Sequence, residues 1–153
     1  MQTVNDVNDV FQTIVTNHQQ LKSFYTHSVD EVDIDQITID QFPLLYAQVT
    51  EASVQGTHTE FTYEVFVATV VFENQRDFVT QIYSETLGIM QDVIAEFHLA
   101  SSGQNNFTPS DWSFEMPVSC EPFTAKLTNS LTGWSASFTI KVPSPTNLCN
   151  ALY

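Results

Sequence analysis

Five carboxylates fall within eleven residues of this chain: Asp30, Glu31, Asp33, Asp35 and Asp40. Clustered carboxylate oxygens are what a hard cation needs, so calcium is the first chemistry to test. An EF-hand loop begun at Asp33 finds its third-position oxygen at Asp35. Ile37 then stands at position five, and Thr38 stands where glycine is required. The ligand set is incomplete, and the segment reads as a solvated acidic face. The four histidines, His18, His27, His58 and His98, show no metal-ligand spacing, and Glu96 and His98 leave different faces of a helix. No H-E-x-x-H, G-x-S-x-G, phosphate-binding loop or dinucleotide fingerprint occurs. Cys120, near Pro117 and Pro122, reads as structural, and Cys149 lies in a C-terminal tail, so free thiols are expected rather than a disulfide framework. Paired carboxylates could run glycoside hydrolysis, but with 18 acids some pair is convenient in any fold. Trp112 and Trp134 could each stack on a sugar. Trp134 begins an alternating strand and is assigned to the core, whereas Trp112 heads a strand after a long loop and is the better contact residue. The chain is read as a non-enzyme with no catalytic residue, cofactor or metal.

Charge narrows the remaining classes. Lys22, Arg76, Lys126 and Lys141 stand against 18 acids, for a net charge of -14. A protein that grips a phosphate backbone needs Lys and Arg to displace condensed counterions. This chain lacks them, and its fitting relation to a nucleic acid is to let it slide past. Charged residues make up only 14%, against about 25% in a typical domain. Ser, Thr, Asn and Gln, 52 together, fill the gap. Such a surface packs against copies of itself with few charges to desolvate. The 42% hydrophobic content, with 12 Phe, argues against disorder. The length suits one α+β domain over residues 1–153, with an acidic arm at 28–42 and a tail at 143–153. The opening MQTVNDVNDV has neither the basic nor the apolar region of a signal peptide, and no stretch approaches the ~18 apolar residues of a membrane span. Cytoplasmic synthesis and no membrane contact are expected.

These residues must be positioned by two helices and a set of strands. Val7, Val10, Phe11, Ile14, His18 and Leu21 form one stripe and predict a helix over 5–21, capped by Asn5. His18 in that stripe is expected to be a hydrogen-bonded core-edge residue. The acidic segment, punctuated by Val32, Ile34, Ile37 and Ile39, reads as an edge strand or extended arm. Strands over 44–53 and 57–72 flank the turn Gln55-Gly56. Phe61, Tyr63, Val65, Val67 and Val71 share one face of the second strand. Its other face starts polar at Thr62 and Glu64 and turns apolar at Phe66, Ala68, Val70 and Phe72. That end needs cover on both faces, from another element or another subunit. A helix over 76–99, capped by Asn74, buries Phe78, Ile82, Ile89, Met90, Val93 and Phe97. Gly88 at its middle costs about 1 kcal/mol against Ala, so another backbone is expected close by. After the loop 100–111 come strands at 112–120 and 123–127. A final strand, with Trp134, Ala136, Phe138, Ile140 and Val142 inward, is preceded by the turn Thr132-Gly133. The expected architecture is an antiparallel sheet of about four to six strands, with two hairpins, packed by two helices.

That order of elements resembles the tail-terminator and head-completion proteins of tailed bacteriophages. The resemblance spans roughly residues 5–142. It is carried by the long hairpin around Gln55-Gly56, the helix from Arg76 to Leu99 and the run LTGWSASFTIKVP ending at Pro143. It implies a tail-terminator-like fold and a structural virion protein at the head–tail junction. That protein would be a homo-oligomeric ring, hexameric or alternatively dodecameric, which caps the tail tube, joins it to the connector and touches passing DNA only passively. On that reading Asp30, Glu31, Asp33, Asp35 and Asp40 face the bore or a neighbouring subunit, and Phe66, Val70 and Phe72 lie in a subunit interface. The acidic insertion at 30–40 departs from the family pattern. Two other readings remain open: another phage structural subunit, such as a tail-tube or adaptor protein, and a small carbohydrate- or ligand-binding module using Trp112 and the 100–111 loop.

Overall fold

The computed structural model describes residues 3–26, 42–71, 79–98, 108–109, 111–125 and 130–144. Helix α1 spans Val4–Asn17, with Val7, Val10, Phe11, Ile14 and Val15 buried on one face. Its N-cap is Thr3 and not Asn5, because Asp6 then falls at the third helical position, where its carboxylate accepts the Thr3 N–H at 2.6 Å. The helix stops at Asn17, short of Leu21. His18 turns extended, and its Nδ1 accepts the backbone N–H groups of Gln20 and Leu21 at 3.1 and 3.3 Å. With Nδ1 accepting, Nε2 holds the proton and donates to Asp92 at 2.9 Å. His18 is thus the hydrogen-bonded edge residue expected of it.

Six strands follow: β1 (Ser23–Tyr25), β2 (Leu44–Val54), β3 (His58–Val71), β4 (Ser113–Phe114), β5 (Cys120–Ala125) and β6 (Ser130–Pro143). They form one sheet in the order β1-β2-β3-β6-β4, and β5 pairs with β6 further along the edge that β4 occupies. The α+β class and both hairpins, β2–β3 and β5–β6, agree with the sequence reading. Three details differ. β1 lies parallel to β2, pairing Ser23 with Leu44, in a sheet expected to be wholly antiparallel. Thr132-Gly133 is not a turn, since β6 starts at Ser130 and pairs with β3 from Val71 to His58. β4 is only two residues long, shorter than the strand expected at 112–120. In the β2–β3 hairpin Gly56 takes φ 87°, the left-handed conformation that a side chain resists.

Helix α2 covers Val79–His98 and buries Thr86, Ile89, Met90, Val93 and Phe97. The expected cap residue Asn74, with Phe78, lies outside the described residues. Both helices pack on one face of the sheet. Phe11 of α1 and Phe97 of α2 meet ring to ring at 5.0 Å, and both reach Phe138 of β6. Gly88 does not sit against another backbone, since a Cβ there would meet nothing within 4 Å. The close approach is at Gly133 instead, where a Cβ would run into the Val67 carbonyl across the ladder. Thermodynamically, Gly88 is a weak point of the helix and Gly133 a requirement of the sheet.

Candidate functional site

The register lets the sheet be read row by row, because paired residues share a face. Leu45, Val67 and Trp134 form a row on the helix-covered side. Leu44, Ala68, Gly133 and Phe123 form the adjacent row on the other side. That second face is graded along the strands. At one end Phe42, Leu44, Tyr46 and Ala68 are buried together, with Tyr25, Phe66, Val70, Phe123 and Leu131 packed around them. Tyr46 and Phe66 sit 5.4 Å apart, and Phe123 meets Phe66 edge-on at 5.3 Å. No residue of α1 or α2 belongs to this cluster.

Further along, the same face turns polar. Gln48, Glu64 and Ser137 make one row, and Glu60 and Lys141 another. A groove of about 390 Å³ lies here, lined by Thr50, Glu64, Ser119, Glu121, Ser135 and Ser137. Lys141 is paired in this arrangement, its Nζ lying 3.1 Å from the Glu60 carboxylate.

A second groove, of about 480 Å³, opens beside α2 and is mostly apolar. Leu87, Ile94 and His98 of α2 form one wall, and Met116, Val118 and Cys120 form the other, with Trp134 at the base. Trp134 is half-buried. Its indole N–H donates to the Tyr83 carbonyl at 2.8 Å, which fixes the ring against α2. Sequence reasoning missed this groove. Its signal was a second apolar row on α2 at Leu87 and Ile94, beside the core stripe. Burial pushes the Cys120 thiol pKa up, so it stays a neutral, slow-reacting thiol near neutrality. The Glu96 carboxyl is raised above its ordinary value, first through burial and then through the like charge of Asp92. Burial also raises the Tyr63 hydroxyl, which stays neutral and donates to Asn8 Oδ1 at 3.0 Å.

Of the residues singled out from the sequence, Phe66 and Val70 lie half-buried in the graded face, pointing away from the helices as their alternation required. Asp30, Glu31, Asp33, Asp35, Asp40 and Phe72, with most of the loop 100–111, lie outside the described residues. Trp112 is not a contact residue. It is 2% exposed and among the largest buried side chains, and so presents no ring face to a sugar. Among the described residues no group of three or more His, Cys, Asp or Glu side chains could hold a metal ion. Nor, among them, is any helix long and apolar enough to cross a membrane. Comparison with models of known protein families gives no match, and comparison with curated proteins gives none either.

Proposed function

We propose that this protein is a structural virion subunit that forms a ring at the head–tail junction of a tailed bacteriophage. The ring caps the tail tube, joins it to the connector and lets DNA pass. The observation that carries the reading is the graded sheet face. An aromatic cluster lies at one end of a face that neither helix covers, in a chain rich in Ser, Thr, Asn and Gln and poor in charge. The centre of that cluster is buried within the chain, and its half-buried margin of Phe66, Val70, Phe123 and Leu131 is what another subunit would meet, since exposed apolar margins rimmed by polar residues mark sites of protein association. A surface rich in Ser, Thr, Asn and Gln brings few charges to desolvate when copies meet.

The electrostatics support a passive conduit. Of the two described cations, Lys141 is held by Glu60, and Lys22 donates toward the Gln19 carbonyl at 3.4 Å. Neither joins a basic patch of the kind that counterion release requires. A wall of net negative charge repels the duplex backbone, so that DNA slides instead of sticking. The test is sedimentation velocity with negative-stain imaging of the purified protein, alone and mixed with tail-tube and connector subunits. Closed rings in either condition are expected. Monomers alone in both conditions would overturn the proposal.

A further inference from the structure

Two large apolar side chains are conspicuously exposed among the described residues: Val54, at 66%, and Met116, at 45%. Val54 ends β2 at the tip of the long hairpin. Met116 forms one wall of the apolar groove beside α2. Each also lies in a neutral patch of a strongly acidic molecule. The hairpin tip from Ala52 to Thr57 holds no charged residue. The groove, in a chain with 18 acids, has no Asp or Glu in its lining. Where such neutral patches meet, two copies each carrying -14 bring the fewest like charges together.

We infer that the β2–β3 hairpin tip of one copy inserts Val54 into the groove beside Met116 of the next copy. This inference rests on the ring reading above and names the contact that closes it. The tip cannot reach its own groove. Val54 lies on β2, with β3 and β6 between it and the Met116 wall; its partner Thr59 pairs with Val142, whereas the groove runs from Met116, just past the Phe114–Ile140 pair, back to Trp134. Three strand spacings of ~4.8 Å put the tip about 14 Å from the Met116 wall across the sheet, and eight residues at ~3.4 Å put it about 27 Å along the sheet from Trp134 within one protomer. Knob and hole are therefore different surfaces, the contact is head-to-tail, and it closes into a ring when the rotation allows. Methionine suits the receiving wall, because its flexible thioether repacks around an incoming side chain. Exposed Met116 and Val54 contribute little to the fold of a single copy, so the contact can be altered without unfolding it.

The groove supplies its own chemical probe, since Cys120 forms part of its wall. Val54→Cys, in a Cys149→Ser background, places a second thiol on the tip. A short bismaleimide at mildly alkaline pH and high protein concentration should then yield a covalent ladder of dimers, trimers and higher species on a reducing gel. Adding Cys120→Ser should abolish the ladder. In parallel, Val54→Asp should reduce the assembled fraction at least tenfold while leaving the circular dichroism spectrum and melting of the monomer unchanged. If the unaltered protein forms rings but the ladder is absent, or survives Cys120→Ser, the hairpin contact is wrong and the ring reading stands. If the unaltered protein is monomeric alone and with its partner subunits, both fail.

Discussion

Replacing Phe138 with Ala tests the core that holds both helices to the sheet. Phe138 is 0% exposed. Its ring lies 6.2 Å from Phe11 of α1, 6.0 Å from Phe97 of α2 and 5.2 Å from Phe114 of β4. Truncating a buried Phe to Ala usually costs 3–5 kcal/mol, more where the site cannot collapse. Here the hole is walled by two helices and two strands held in place by other contacts, so the cost belongs at the upper end, about 4–5 kcal/mol. A domain of this size has roughly 5–15 kcal/mol in total, and each kcal/mol is worth about 2–4 °C. The melting temperature should therefore fall by roughly 8–20 °C. Ser137, next in the chain but exposed on the other face, is the control, and Ser137→Ala should stay within about 0.5 kcal/mol. Urea titrations followed by tryptophan fluorescence, at a concentration where sedimentation gives one species, measure both changes from midpoints at constant slope. Two equally mild effects would mean that β6 is out of register and that the sheet described above is wrong.

Four further outcomes are expected. Gly88→Ala should stabilise by about 0.5–1 kcal/mol, because the helix gains a better former and the new methyl meets nothing. Gly133→Ala should instead destabilise strongly, since its Cβ would strike the Val67 carbonyl; thermal melts that ranked the two the other way would contradict the packing. Glu96 has a raised folded-state pKa, so its contribution is fully present below the unfolded value and is lost as pH rises through the folded value. Glu96→Gln should flatten that part of the stability–pH curve, and an unchanged curve would show that Glu96 does not titrate as its surroundings imply. The purified protein should leave a random DNA duplex unbound at physiological salt in fluorescence anisotropy, where salt-dependent micromolar binding would refute the passive conduit.

Local patterning was enough to read much of this molecule. The alternation from Trp134 to Val142, the stripe from Val7 to Ile14 and the Gln55-Gly56 turn are short-range signals, because side-chain direction follows from the period of a strand or helix alone. The graded face was legible for the same reason: Phe66 and Val70 alternate with Val65 and Val67, so one strand carries two buried sides at one end. What the tertiary structure decided were matters of distance between residues far apart in the chain. Whether a tryptophan is core or contact depends on what arrives from elsewhere, and Trp112, which follows a loop, is enclosed by the core of the sheet. Gly88 and Gly133 look alike in sequence, but only the β3–β6 register brings the Val67 carbonyl against Gly133 and leaves Gly88 in open space. The parallel pairing of β1 rests on three residues, Ser23 to Tyr25, too few to show a period. The groove beside α2 exists because Met116–Cys120 returns alongside a helix some twenty to thirty residues earlier, a juxtaposition that no window of local sequence contains.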